Sequence, residues 1–267
     1  MNSESEISLI ILSDNLQSVI EKINDIKDIH DFELEYVSDD KINDTYFDSQ
    51  SFILHKKKFA LRIRNKNDIL QITLKGPPKS EVHNITRQED EYEWSKDSFE
   101  KICDHLKEIM DIDKKEIGKY FDKDPLKTLG QIGFREIHTH TNNRKVFHIT
   151  KANDSTKEVI SELDIDNVIY HLKFDQNLFD ISVIDIELEK KGKTNEYQAI
   201  TKTMINHLKE RLGSDAIREW KYGKLNLGKG LEKLCKENES NEYVNSKGYL
   251  KLNALDKIKE FVDKGII

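Results

Sequence analysis

Little in this chain fixes a function by inspection. Only two of its 267 residues are cysteines, Cys103 and Cys235. That excludes a disulfide framework, and neither stands in a CxxC or Cys/His cluster of zinc-ligand spacing. Such usage fits a reducing compartment, so a cytoplasmic location is expected. Long apolar runs are missing: the longest, Ile7 to Leu12, falls far short of the ~20 residues a membrane helix needs. No basic stretch followed by an apolar one opens the chain, so no secretory leader is read. Net basic charge is absent too. The formal charge is −7, which argues against nucleic acid as a partner, because general binders carry a basic footprint. The glycine motifs GxxxxGKS/T, GxSxG and GxGxxG do not occur, and nucleophilic catalysis by Ser or Cys has no support. There are no internal repeats.

What is present is charge and periodicity. Charged residues make up 35% of the chain and hydrophobic ones 36%. The two signs interleave, and the apolar residues fall in periodic blocks, as a folded α/β chain requires. Glu4 to Leu12 reads as a strand. Asp14 is the expected cap of a helix that ends near Ile29. Phe32 to Val37, Asp44 to Phe47, Phe59 to Arg64, Leu70 to Lys75 and Arg87 to Trp94 read as strands. Ser98 to Met110 has helical period, and residues 111–131 read as a helical connection. Phe134 to Thr141 and Arg144 to Lys151 suggest a hairpin around Asn142-Asn143. Val159 to Val168 and Ile181 to Glu189 follow as strands. Tyr197 to Leu212 reads as a helix closed by Gly213, and two amphipathic helical patches occupy Leu225 to Ile267. Strands in runs, rather than strict alternation with helices, indicate an α+β fold: an antiparallel sheet or barrel with helices packed outside.

Polar residues recur at i, i+2 on these strands and so share faces. Arg62 and Arg64 form one such set; Gln71, Thr73 and Lys75 another; Arg87, Glu89, Glu91 and Glu93 a third. Glu162, Asp164 and Asp166 share a face, as do Asp185, Glu187 and Glu189, and Glu4, Glu6 and Ser8. Each set alone fits the solvated side of a half-buried sheet. Together they sort into basic strands and acidic strands, as the wall of an enclosed polar channel would. Basic strands clamp phosphate oxygens, and carboxylate strands hold hard cations. His138 and His140 also share a face, but no third metal ligand stands at known spacing, and partly exposed histidines are the expected reading. Cys103 is expected to line the core. Lys56, Lys57 and Lys58 read as a solvated basic run.

In order along the chain, Asp44-Thr45-Tyr46-Phe47-Asp48, Ala60-Leu61-Arg62-Ile63-Arg64, Thr73-Leu74-Lys75-Gly76, Arg87-x-Glu89-x-Glu91, Arg144, Glu162-Leu163-Asp164, Glu187-Leu188-Glu189 and Lys221-Tyr222 resemble the CYTH superfamily, the triphosphate tunnel metalloenzymes. The resemblance implies an eight-stranded antiparallel β-barrel tunnel over 1–224, with a helical extension over 225–267. It implies a small-molecule triphosphate or polyphosphate as substrate and Mg²⁺ or Mn²⁺ as cofactor. Arg62, Arg64, Lys75, Arg87, Arg144 and Lys221 would then contact phosphate. Glu4, Glu6, Glu187 and Glu189 would hold metal, with Glu89, Glu91, Glu162 and Asp164 as further acidic wall. Glu4, Glu6, Arg62, Lys75, Glu187 and Glu189 would carry catalysis. The family opens with Glu-x-Glu-x-Lys, whereas this chain reads Glu4-Ser5-Glu6-Ile7-Ser8, so the lysine is absent. Three activities follow from the resemblance: a metal-dependent triphosphatase, a triphosphate-binding module with little turnover, or a class IV-type adenylate cyclase on the same scaffold. The 111–131 insertion and the tail are candidates for capping the tunnel or for building a homodimer.

Overall fold

The computed structural model describes residues 2–26, 31–80, 85–110, 119–152, 156–174, 177–192, 196–237 and 242–267. Ten strands form one sheet: β1 (Asn2–Ile11), β2 (Phe32–Ser49), β3 (Ala60–Lys66), β4 (Ile69–Lys75), β5 (Lys79–Ser80), β6 (Ile85–Glu93), β7 (Phe134–Lys151), β8 (Val159–Phe174), β9 (Asn177–Lys190) and β10 (Ile217–Trp220). The hydrogen-bonded order is β10-β1-β9-β8-β7-β2-β3-β4-β6-β5, and β1 also pairs with β6. Without the short strands β5 and β10, eight antiparallel strands close into a ring, the α+β topology expected from the sequence. Among the described residues, no helix is long and apolar enough to cross a membrane.

Among the described residues, seven helices accompany the sheet: α1 (Leu16–Asn24), α2 (Ile53–Lys56), α3 (Lys96–Ile109), α4 (Pro125–Gln131), α5 (Glu196–Leu212), α6 (Gly223–Glu237) and α7 (Leu252–Asp263). Asn15, Ser95 and Asp124 start three of them by capping chemistry. The cap of α1 is Asn15, one residue after the expected Asp14; its side-chain oxygen accepts from the Ser18 N–H at 3.0 Å. Ser95 does the same for α3 through Ser98 N–H at 3.1 Å. Asp48 receives the backbone N–H groups of Ser49, Leu54 and His55, which anchors α2 to the end of β2.

The chain packs as two compact units. The first comprises Met1–Glu4, Lys41–Glu81 and Ile85–His140; the second comprises Ser5–Asp40, Val82–Asn84 and Thr141–Ile267. In the first unit, Leu61, Ile63, Ile72 and Leu74 point to one side of β3 and β4 and bury against Phe99, Ile102, Cys103 and Leu106 of α3. Cys103 is therefore a core residue, as expected. In the second unit, Leu163, Ile165, Ile184, Ile186 and Leu188 bury against α1 and α5. The opposite side of β8 and β9 turns from charged to apolar along its length. Past Asp166 and Asp185 come Val168, Tyr170, Leu172, Ile181 and Val183, packed with α6 and α7. The two tail helices thus cover the apolar end of a charged face. They cross closely at Gly230, where a Cβ would lie 2.2 Å from a methyl carbon of Ile258.

Three local expectations are corrected. Asn142-Asn143 makes no hairpin; both lie inside the 18-residue β7, and neither has positive φ. Without a glycine to favour a primed turn, the flanking β-branched and aromatic residues carry the strand through. A left-handed pair stands instead at Asn67-Asp68, in the turn between β3 and β4 (φ 51° and 68°). The separate runs at Phe32 and Asp44 are one strand, β2. Helix α1 stops at Asn24, while residues 27–30 and 111–118 lie outside the described set. Helix α6 starts at Gly223.

Candidate functional site

The polar strand faces are the decisive feature, because they are buried. Side-chain exposure is 6% for Arg62, 12% for Arg64, 17% for Lys75 and 15% for Arg87. A solvated sheet face would leave such long side chains in water. The faces form two charged clusters, one within each unit.

In the first unit, register aligns the rows. Arg62 lies opposite Tyr46 and Thr73, and Thr73 opposite Glu91; Arg64 lies opposite Asp44; Lys75 lies opposite Glu89. Asp44 is the hub. Arg64 grips it with two N–H donors, each at 2.8 Å, and Arg62 Nη1 approaches at 3.3 Å. His140 Nε2 stands 3.4 Å from the same carboxylate. Arg62 Nη2 reaches Glu91 at 2.9 Å and Thr73 Oγ1 at 3.2 Å. Lys75 Nζ lies 2.9 Å from Glu89 and 3.0 Å from Glu4, and Arg87 Nε lies 3.5 Å from Glu4. Burial alone would raise these carboxyl groups. For Asp44, Arg62 and Arg64 outweigh it and hold the group well below the usual range. Burial is likewise outweighed at Glu89, chiefly by Lys75, and at Glu91, chiefly by Arg62 and Arg64; both are lowered. At Glu4 burial prevails over Lys75, and the carboxyl is raised. The cluster balances four cations (Arg62, Arg64, Lys75, Arg87) against four carboxyls (Glu4, Asp44, Glu89, Glu91).

The second cluster is built differently. Across β1, β9 and β8 the rows read Glu6–Glu189–Glu162, Ser8–Glu187–Asp164 and Ile10–Asp185–Asp166. Like charges directly opposite repel, so cations must come from elsewhere. Arg144 on β7 ion-pairs Asp164, binds both oxygens of Asp166 at 2.7 Å and reaches Glu187 at 2.7 Å. Lys224 in the first turn of α6 lies 2.9 Å from Asp185, 3.0 Å from Asp166 and 2.5 Å from Glu187. Ser8 Oγ donates to Asp185 at 2.7 Å. Two cations thus face four carboxyls, Asp164, Asp166, Asp185 and Glu187. Burial, which Arg144 opposes, pushes Asp164 up to about 8, and burial, which Lys224 opposes, pushes Asp185 up to about 6. Asp166 is lowered, because Arg144 and Lys224 together overcome its burial.

Oxygens of Asp166, Asp185 and Glu187 lie within 4.8 Å of one another. An all-carboxylate set suits a hard divalent cation such as Mg²⁺ or Mn²⁺. Four carboxyls outnumber two cations here, so the residues present fit the cofactor the resemblance implies.

Of the residues named from sequence, Arg62, Arg64, Lys75, Arg87, Glu4, Glu89 and Glu91 meet in the first unit. Arg144, Asp164 and Glu187 meet in the second. Glu6, Glu162 and Glu189 occupy the adjoining row, where Lys191 binds Glu162 at 3.2 Å and Glu189 at 2.7 Å. Lys221 is exposed and belongs to neither cluster. The basic and acidic strands are not segregated as expected: each buried cation sits among carboxylates, as desolvation demands. His138 and His140 are buried rather than partly exposed, at 4% and 1%, and their rings pack around Tyr46. Asp44, Asp166, Asp185, His140 and Lys224 are additional members of the clusters. Asp166 and Asp185 continue the i, i+2 series by one step. Lys224 shares the stripe of Leu227, Leu231 and Leu234, and a lysine on an apolar stripe was its signal.

The CYTH domain family model matches residues 18–218. Among solved structures, HpAC1 from Hippeastrum, whose description gives it a dominant triphosphatase activity, superposes with a TM-score of 0.52 at 19% identity, covering 85% of this chain and 95% of its own. The PH1819 protein of Pyrococcus horikoshii OT3 gives 0.46 at 20% identity, covering 87% and 99%. The mimivirus capping enzyme triphosphatase gives 0.39 at 11%, covering 78% and 90%. No curated protein matches the chain. With a matching family model across most of its length and this ring of strands, the chain belongs to the CYTH domain family.

Proposed function

We propose that this protein is a divalent-metal-dependent triphosphatase acting on inorganic tripolyphosphate or on an organic or nucleoside triphosphate. One observation carries the reading: Arg62, Arg64, Lys75 and Arg87 are buried together on a single sheet face. Stability alone rarely rewards burying so many cations, whereas a polyanion needs them. Family membership supports a triphosphate-related reaction, and the triphosphatase activity described for HpAC1 agrees with it.

In this reading the guanidinium groups take the phosphate oxygens, with their forked donors matching that geometry. Asp44 keeps the Arg62 and Arg64 planes oriented in advance, so little reorganisation accompanies binding. Asp166, Asp185 and Glu187 are the residues that would hold a divalent ion, which would supply positive charge and a more acidic bound water. Water oxygen would bond to the terminal phosphorus as the bridging P–O bond breaks, its proton passing to solvent, and the diphosphate would depart: pyrophosphate from tripolyphosphate, the organic diphosphate from an organic triphosphate. Lys75 and the arginines offset the charge that develops on the leaving oxygens.

A binding module with slow turnover is the second reading. It is favoured by Ser8, whose hydroxyl is committed to Asp185 where the family carries a lysine. Phosphate release from tripolyphosphate with Mn²⁺, measured beside calorimetric binding, separates the two. Release that Arg62→Ala and Glu187→Ala abolish supports the enzyme. Binding without release supports the module. Neither binding nor release removes the substrate class.

A further inference from the structure

Lys224 is the one charged member of the buried stripe on α6, followed by Leu227, Leu231 and Leu234. Its ammonium has three donors and meets three carboxylates, Asp166, Asp185 and Glu187, at 3.0, 2.9 and 2.5 Å. These are the residues whose oxygens lie close enough to share one ion. Other groups fix how the oxygens point. Ser8 holds Oδ1 of Asp185, leaving Oδ2 to Lys224. Arg144 holds Oε2 of Glu187, leaving Oε1 to Lys224. Arg144 also grips both oxygens of Asp166, one of which Lys224 shares. The three oxygens therefore converge on the Lys224 nitrogen.

A divalent ion at that convergence point would stand against the ammonium, and like charges so close repel strongly in a dry site. Arg144 cannot give way, because its planar fork is committed to Asp164, Asp166 and Glu187. Lys224 can: its charge rides on a flexible four-carbon stem anchored only at the helix start. We propose that Lys224 is a tethered cation competing with the divalent metal for Asp166, Asp185 and Glu187, so that its side chain must withdraw before the ion is held. This rests on the reading that the cluster takes a divalent ion. It adds that the chain carries its own occupant for the site, which sets a threshold for metal loading.

The test titrates Mn²⁺ into the full-length protein with no phosphate compound present, by calorimetry and by the loss of free-Mn²⁺ paramagnetic resonance signal. Lys224→Met keeps the length of the side chain and removes the charge. Its apparent Mn²⁺ Kd should fall at least tenfold below that of the unaltered protein, and Mn²⁺ should raise its unfolding temperature further. Adding Glu187→Gln to Lys224→Met should abolish the gain. Lys224→Gln, which keeps hydrogen-bond donors, guards against a misfolded methionine variant and should also bind more tightly. A Mn²⁺ affinity that is unchanged, weaker or undetectable in both variants overturns the proposal. Tripolyphosphate hydrolysis is assayed separately on the unaltered protein. Its absence would count against the triphosphatase and leave the metal competition to be judged by the phosphate-free titration.

Discussion

The two charged clusters solve the same problem, buried ions, in opposite ways. In the first unit four cations meet four carboxyls, and the hub Asp44 is driven well below its ordinary range. In the second, two cations serve four carboxyls, and Asp164 and Asp185 are driven up to about 8 and about 6. A neutral cluster is complete by itself but can exchange partners with an incoming anion. A cluster short of positive charge is incomplete and retains protons in place of an ion. In the proposed function the first cluster takes the phosphate and the second the metal.

Removing Arg144 should have the largest effect. Arg144→Met strips Asp164, Asp166 and Glu187 of their shared partner, and breaking a buried ion pair costs about 3–5 kcal/mol. Urea unfolding at pH 7 should show that loss, with part of it recovered on adding Mn²⁺. A neutral outcome would mean the second cluster is not short of positive charge. Next comes Arg62→Ala. Phosphate release from tripolyphosphate should fall by roughly 10²–10³, as for other positioned charge-stabilising donors, while circular dichroism shows a retained fold.

The pH dependence should separate the clusters. Asp164 and Asp185 hold protons in the folded state that the unfolded chain has already lost. Their contribution is present below the ordinary carboxylate range and disappears as pH rises through about 6 and about 8, at up to about 1.4 kcal/mol per pH unit for each group. Asp44, Glu89 and Glu91 are lowered, so their contribution is lost instead as pH falls below that range. The unfolding midpoint should therefore decline on both sides of a maximum near pH 5, with Mn²⁺ flattening only the alkaline side. A midpoint that climbs steadily from pH 5 to 8 would contradict the charge shortfall. A smaller effect is expected from Ser8→Ala, which leaves the buried Oδ1 of Asp185 without its donor and should cost about 1 kcal/mol. The smallest is Lys221→Ala. Lys221 is exposed, and its loss should change the unfolding free energy by less than about 0.5 kcal/mol, unlike a change at Lys224 just inside α6.

Strand parity made most of this legible. Alternation alone placed Arg62 with Arg64 and Glu187 with Glu189, and every long strand was foreseen at least in part. Parity says which residues share a face, yet it does not say whether water covers that face. The buried side chains of Arg62 and Arg64 answer that. It also carries no information across strands, which is why Asp44, on β2, was noticed as part of a motif and not as the partner of two arginines on β3. Lys224 escaped for another reason. It comes from a helix, and its carboxylates lie on β8 and β9, so nothing local in sequence links them. The motif-based expectation settled on Lys221, at the exposed end of the same segment. Asn142-Asn143 misled because a dipeptide's turn preference is weak against strand partners on both sides of β7.

The placement of Lys224 after the β8–β9 hairpin also bears on how the protein comes into being. A ribosome delivers Asp166, Asp185 and Glu187 well before it delivers their lysine, and the apolar ends of the same strands wait equally long for α6 and α7. During that interval the nascent hairpin is both acidic and sticky, so its maturation depends on the last helices to emerge.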